Sequence, residues 1–224
     1  MIANITPPAS LVTQTYEAIL NAICEGTLAP GERLTQEGIA ERLNVSRQPV
    51  GQAFALLKTQ GFVKEVGRRG LIVAHLEPVF FKAIYELRTA LDPLAVRLAM
   101  DRITDAALEE GRAIVAEGRK AVESTDLRSL IMADVRFHTY IYELSANPLI
   151  GEIMGLYWNH LRRAMGEVLR TRGEGDTVWR EHEAIFEAMA AGERERAAEL
   201  ARLHAESAVA RVLPALEARI KATE

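Results

Sequence analysis

The stretch Ala40-Glu41-Arg42-Leu43-Asn44-Val45-Ser46-Arg47-Gln48-Pro49-Val50 reads as the end of one short helix, a tight turn and the start of a second. Asn44 suits the turn, because its short amide side chain tolerates the backbone of a sharp reversal. Thr35 caps the first helix, which is expected to run to Leu43 with Ile39, Ala40 and Leu43 inward. Ser46 caps the second, expected from Arg47 to about Gln60, with Val50, Phe54 and Leu57 as its apolar stripe and Gly61 as its stop. Upstream, Leu11 to Glu25 has helical apolar spacing and ends at Gly26, and Pro30-Gly31 makes a turn. Downstream, two β-prone pieces, Phe62 to Val66 and Leu71 to Ala74, flank Gly67-Arg68-Arg69-Gly70 and read as a hairpin with a basic tip.

Three helices on one core followed by a hairpin make a winged helix-turn-helix. Its second helix must fit a DNA major groove roughly 12 Å wide with polar residues at its N-terminal end. Arg47, Gln48 and Gln52 suit base reading, since Arg pairs with guanine and Gln with adenine. Ser46 and the helix start offer donors to a phosphate, Thr35 stands at the start of the neighbouring helix, and Arg68 and Arg69 can reach the backbone or the minor groove. The plain alternative is a solvated helix start and a solvated turn. The order of elements favours the DNA reading.

The whole chain has 224 residues, 49% hydrophobic and 26% charged, with a net charge of −4. That balance excludes attachment to nucleic acid or anionic lipid through bulk positive charge, so a DNA-binding surface must be local. Up to His75 there are seven basic and six acidic residues, and beyond it 20 and 25, so the negative balance lies in the second part. The expected organisation is a winged helix-turn-helix domain over residues 1–75, a linker at 76–78 and an all-helical domain over 79–224. The fold class is thus mainly α, with a C-terminal antiparallel helical bundle. Cys24 is the only cysteine, which excludes an internal disulfide, and it reads as a buried apolar residue. No run approaches the roughly 18 apolar residues of a membrane span, and Met1 to Ser10 lacks a signal-peptide pattern, so the expected location is cytoplasmic.

Six helices are expected in the second part. Pro78 precedes the first, Thr104 caps the second and Asp126 begins the third. Asn147 caps the fourth with Pro148 at its first position. Gly173-Glu174-Gly175 breaks that helix, Thr177 caps the fifth, and Gly192 precedes a last helix in which Pro214 is a candidate kink. Asp134 and His138, four apart, project from one side of the third helix. His182 lies near the start of the fifth helix and His204 in the last, and facing helices of a bundle can bring such side chains to one internal point. Three imidazoles and a carboxylate suit Zn, Ni, Fe, Co or Mn. Taken singly, such residues are more often a surface ion pair or a satisfied core histidine than metal ligands.

Pro30-Gly31-Glu32-Arg33-Leu34, then Ala40 through Val50, then Gly61-Phe62-Val63 resembles the N-terminal domain of GntR-type bacterial transcriptional regulators. Where that family usually continues with Arg-Glu-Ala, this chain has Gly51-Gln52-Ala53, which removes an arginine that is a principal DNA contact there. More of the base reading then falls to Arg47, Gln48 and Gln52. Residues 79–222 resemble the helical ligand-binding FCD domain of the FadR subfamily. The resemblance implies that Asp134, His138, His182 and His204 bind a divalent metal ion, and that a small carboxylate effector fills its open positions. Arg88 resembles the arginine that clamps this carboxylate, a chemistry guanidinium suits, although pairing with Glu86 or Asp92 is the structural alternative. His160 is a candidate for the same cavity, or for a core or interface role, and His75 falls in the linker without a special role.

These readings imply a homodimeric repressor on a double-stranded DNA operator, modulated by the effector, with no membrane partner. Dimerisation follows from the small contact of one recognition helix, which two half-sites double. The competing class is a metal-dependent hydrolase or lyase on the bundle, since an open metal shell activates water. It needs a general base near the ion, for which Glu181 and Glu183 beside His182 are the candidates. It gives the winged helix no purpose.

Overall fold

The computed structural model describes residues 10–67, 70–124, 126–169 and 174–221. The chain divides into two units, Met1–Leu76 and Glu77–Glu224.

In the first unit, α1 (Leu11–Cys24) starts at Ser10, whose hydroxyl accepts the Thr13 N–H at 3.1 Å. Helix α2 (Gln36–Leu43) starts at Thr35, whose hydroxyl accepts the Gly38 N–H at 3.1 Å, and ends on Asn44 with φ 54°. That left-handed residue is what lets α3 (Arg47–Thr59) turn so sharply away from α2. Ser46 holds the cap position of α3, but its side chain makes no cap hydrogen bond, which departs from the expected capping. Ile19, Ile23, Leu28, Val50, Leu57, Phe62 and Val73 are buried together in one core. Each contributes roughly 1.5–3 kcal/mol on leaving water.

Strands β2 (Val63–Glu65) and β3 (Leu71–Val73) pair antiparallel, with Lys64 opposite Ile72. A third strand, β1 (Arg33–Leu34), pairs with the other edge of β3, giving the order β1-β3-β2. The sequence predicts only a turn at Pro30-Gly31 here, because a strand of two residues carries no alternation. Arg68 and Arg69, the expected basic tip, lie outside the described residues.

The second unit has six helices among its described residues: α4 (Pro78–Met100), α5 (Asp105–Ser124), α6 (Leu127–Leu144), α7 (Pro148–Val168), α8 (Glu174–Ala190) and α9 (Arg194–Lys221). Asp126 accepts N–H bonds from Arg128 and Ser129 to cap α6, and Asn147 caps α7 with Pro148 first in the helix. Thr177 is not a cap: α8 begins at Glu174 and carries Thr177 inside its first turn. Two acidic residues there, Glu174 and Asp176, favour that earlier start through the helix dipole. Pro214 lies inside α9 without ending it. Helix α4 packs along α9, α6 and α7, while α5 packs on α6 and α8. The α5–α8 contact is tight because α5 presents glycines: a Cβ on Gly118 would overlap the Trp179 ring, and one on Gly111 would overlap Phe186. Trp179 then sits fully buried beside the histidines.

Candidate functional site

In the first unit, Ser46, Arg47, Gln48 and Gln52 are exposed along the start of α3, with Thr35 exposed at the start of α2. Arg47 faces Glu37 at 3.6 Å, with both side chains solvated. Such a surface pair is worth about 0–1 kcal/mol, so Arg47 can leave it for a base or phosphate. Gly51 interrupts this polar row. A Cβ there would lie 3.1 Å from Gln36 Nε2, so the Gln36 side chain of α2 lies over the position. Gln36 was not singled out from the sequence, where only the interior glycine, costly in a helix, hinted at a close neighbour.

In the second unit, Asp134 and His138 from α6, His182 from α8 and His204 from α9 are buried together. One ring nitrogen from each histidine lies within 4.8 Å of the others. His182 Nε2 is 3.3 Å from His204 Nε2 and 3.5 Å from Asp134 Oδ1, and His138 Nε2 is 4.0 Å from Asp134 Oδ2. Ligand atoms bonded to one ion at about 2.0–2.2 Å stand roughly 3–3.5 Å apart, so His182 already has that spacing to both His204 and Asp134. The donor chemistry agrees. Burial, with Arg88 next in weight, holds His138 well below the ordinary imidazole range, and burial followed by His204 does the same to His182. Neutral imidazole is the form that binds metal. Burial pushes Asp134 up to about 6, with Arg88 pulling against it.

Arg88 lies on the same side. Its Nε and Nη2 donate to Asp92 Oδ2 at 3.2 and 3.0 Å, and Nη2 is 2.9 Å from His138 Nε2. Tyr142 donates its hydroxyl to the other Asp92 oxygen at 2.5 Å. The structure therefore realises the Arg88–Asp92 pairing, in the interior and not on the surface. Arg88 also lines a small pocket of about 30 Å³, whose polar wall holds Tyr85, Asp134, His204 and Arg211. Its remaining wall is apolar: Met165, Leu169, Val178, Ala208 and Val212. His160 is not part of this lining. It is buried against Phe80, with ring centroids 5.0 Å apart.

Arg211 carries no signal in the linear pattern, and Glu181 reads there only as a candidate base beside His182. Glu181 accepts from His204 Nδ1 at 2.7 Å and receives two bonds from Arg211 at 2.8 Å. Burial would raise the Glu181 carboxyl, but the bonds from His204 and Arg211 outweigh it and hold it at about 2. Glu183 is engaged by Arg119 of α5. Both carboxylates that a hydrolase would draw on as bases are thus already committed.

A helix-turn-helix unit with a β-hairpin, together with a helical unit that gathers buried histidines, is an architecture found among bacterial transcription regulators. Comparison with known proteins agrees. The FCD domain matches over residues 83–207, and the gntR family of bacterial regulatory proteins over residues 11–73. This chain belongs to the GntR family and carries an FCD domain. It is 28% identical to the HTH-type transcriptional regulator YdhC of Bacillus subtilis (strain 168), over 80% of this chain and 81% of that one. It is 35% identical to an HTH-type regulator from the TAR-I ttuE-ttuC' intergenic region of Agrobacterium vitis, over 62% of this chain and 82% of the other. Among solved structures, a putative GntR regulator from Rhodococcus sp. RHA1 superposes with TM-score 0.76 at 26% identity, covering 91% of this chain and 97% of that one. E. coli McbR/YncC shares the fold, with TM-score 0.76 at 21% identity over the same shares. The relatives are regulators and not enzymes, which sets the hydrolase or lyase reading aside. No helix among the described residues is long and apolar enough to cross a membrane.

Proposed function

We propose that this protein is a homodimeric, metal-containing repressor of the FadR subfamily, acting on cytoplasmic DNA and released from its operator by a small carboxylate. The observation that carries the reading is the convergence of three histidine nitrogens within 4.8 Å, of which His204, with Asp134, reaches the wall of a pocket that also holds two guanidinium groups. Asp134, His138, His182 and His204 would hold the ion. When bound, a divalent ion supplies a Lewis-acid attachment for a carboxylate oxygen. Arg88 and Arg211 favour an anion in the pocket, Tyr85 borders it, and the apolar wall suits a short hydrocarbon body. His160 packs on Phe80 and does not line the pocket that holds Arg88 and Arg211.

In the first unit, Arg47, Gln48 and Gln52 read bases, Ser46 and Thr35 meet phosphates, and Arg68 and Arg69 belong to the wing's contact. The family binds DNA and is usually dimeric. An apolar row supports a dimer through the helical unit: on α7, Leu149 and Leu156 are 61% and 71% exposed and seven residues apart, on one face. The ligand acts by favouring one arrangement of the dimer over the one that fits the operator.

The test is elemental analysis joined to thermal shift. Purified protein is expected to carry close to one equivalent of a divalent metal, and His182→Ala to lose it. Short monocarboxylates should raise the melting temperature of metal-loaded protein, and chelator should abolish the rise. Metal-free protein that refuses added metal would remove the site.

A further inference from the structure

The three imidazoles are not held alike. His204 Nδ1 stands 2.7 Å from Glu181 Oε2, and Arg211 donates to both Glu181 oxygens at 2.8 Å. A carboxylate gripped by a guanidinium only accepts, so Nδ1 of His204 carries the proton. Its Nε2, which faces His182 and the interior of the cluster, is the nitrogen left to meet an ion. By contrast, Nδ1 of His182 is buried with no hydrogen-bond partner, and both ring nitrogens of His138 lie within 3.2 Å of Arg88 Nη2. Among the described residues, His204 is the one imidazole of the three whose outer nitrogen is held by a carboxylate.

The arrangement is built into two helices. His204 and Arg211 are seven residues apart on α9, and Glu174 and Glu181 are seven apart on α8, so each pair shares a face. Glu181 meets His204 and Arg211 together, while Glu174 Oε2 lies 3.9 Å from Arg211 Nε. Arg211 also belongs to the wall of the pocket, beside Asp134 and His204.

We propose that Glu181 and Arg211 are positioning residues of the metal site: Glu181 fixes His204 with Nε2 turned inward, and Arg211 holds Glu181 in place from the pocket wall. A carboxylate behind a metal-bound imidazole orients the ring and raises its basicity, and its loss typically weakens metal binding about 10–100-fold. The inference rests on the metal-site reading above. It adds that the grip on the ion runs through an ion pair that borders the ligand pocket, so α8 and α9 cannot shift relative to one another without changing it.

The experiment is zinc affinity by chelator competition on the full-length wild type and on Glu181→Gln, Glu181→Asp, Arg211→Met and His182→Ala. Circular dichroism checks the fold of each. Glu181→Gln should weaken zinc binding about 10–100-fold, Glu181→Asp should recover part of the loss, and Arg211→Met should weaken binding by a smaller factor. Nitrogen NMR of the metal-free protein supplies a readout that a purely structural role would not move. It should show His204 protonated at Nδ1 in the wild type and at both nitrogens in exchange in Glu181→Gln. Should Glu181→Gln fold poorly, Glu181→Asp and Arg211→Met probe the same link. Zinc binding that is lost in His182→Ala but unchanged in both Glu181→Gln and Arg211→Met overturns the positioning role and leaves the metal site standing. A wild type that takes up no zinc overturns both.

Discussion

Thr35 and Ser46 occupy equivalent places, each at the start of a helix of the reading head, yet only one is used as a cap. The Thr35 hydroxyl accepts the Gly38 N–H, whereas the Ser46 side chain is exposed and makes no cap bond. Thr35→Ala should therefore cost about 1 kcal/mol, and Ser46→Ala less than about 0.5 kcal/mol, in urea denaturation of the intact protein. Ser46→Ala should nonetheless weaken DNA binding, because a hydroxyl left free by the fold is available to a phosphate. At this scale the sequence was informative wherever one residue's chemistry settles its conformation: Asn44 takes the left-handed turn, and Asp134 and His138 share a face by their spacing. It was silent where the partner lies on another helix. Gln36 over Gly51 and Arg211 on Glu181 are contacts between elements, and neither residue differs in type from an ordinary surface residue.

Helices α5 and α8 show how packing on one side of an element fixes chemistry on the other. Trp179 lies against Gly118, and its ring centre is 4.8 Å from that of His182 one turn further along α8. Phe137 of α6 stacks on the His182 ring at 4.4 Å, and its own ring lies 6.3 Å from that of Trp179. Adding one methyl at Gly118 forces the indole to move. Gly118→Ala should lower stability by about 1–3 kcal/mol in thermal or urea unfolding, and zinc affinity should fall with it because His182 is displaced. The Gly118→Ala, Trp179→Phe double variant should recover part of the stability, since the smaller ring leaves room. A glycine in the middle of a helix reads, from sequence, only as a weak point, and its packing reason appears once the facing aromatic is placed. The same limit explains why β1 and the start of α8 were missed. Two residues of strand have no period, and Gly173-Gly175 resembles a break although Glu174 already opens the helix.

For the whole molecule the charge balance sets the terms. The reading head has nearly equal numbers of acidic and basic residues, so its attraction for DNA in general is weak and specificity must come from a few contacts used twice. In the proposed dimer the second copy supplies the other half of those contacts. Leu156→Glu, placing a charge on the exposed apolar row of α7, should give a monomer in analytical ultracentrifugation and reduce operator affinity, with the fold of each unit intact by circular dichroism. An unchanged dimer would move the interface elsewhere. The overall division into a punctuated first part and a run of long helices was legible because glycine, proline and capping residues mark the helix ends. The convergence of His182 and His204 on Asp134 and His138 was not, because no local period links residues on three helices, and family resemblance supplied it.

The most direct test of the central claim is selection of duplexes from a random DNA pool by the full-length protein, followed by binding titrations on the enriched sequence with wild type and Arg47→Ala. The account predicts a pseudo-palindrome with half-sites about one helical turn apart, bound by the wild type and lost in Arg47→Ala with its melting temperature unchanged. A pool that shows no enrichment, or an Arg47→Ala variant that binds the enriched duplex as well as the wild type, would contradict it.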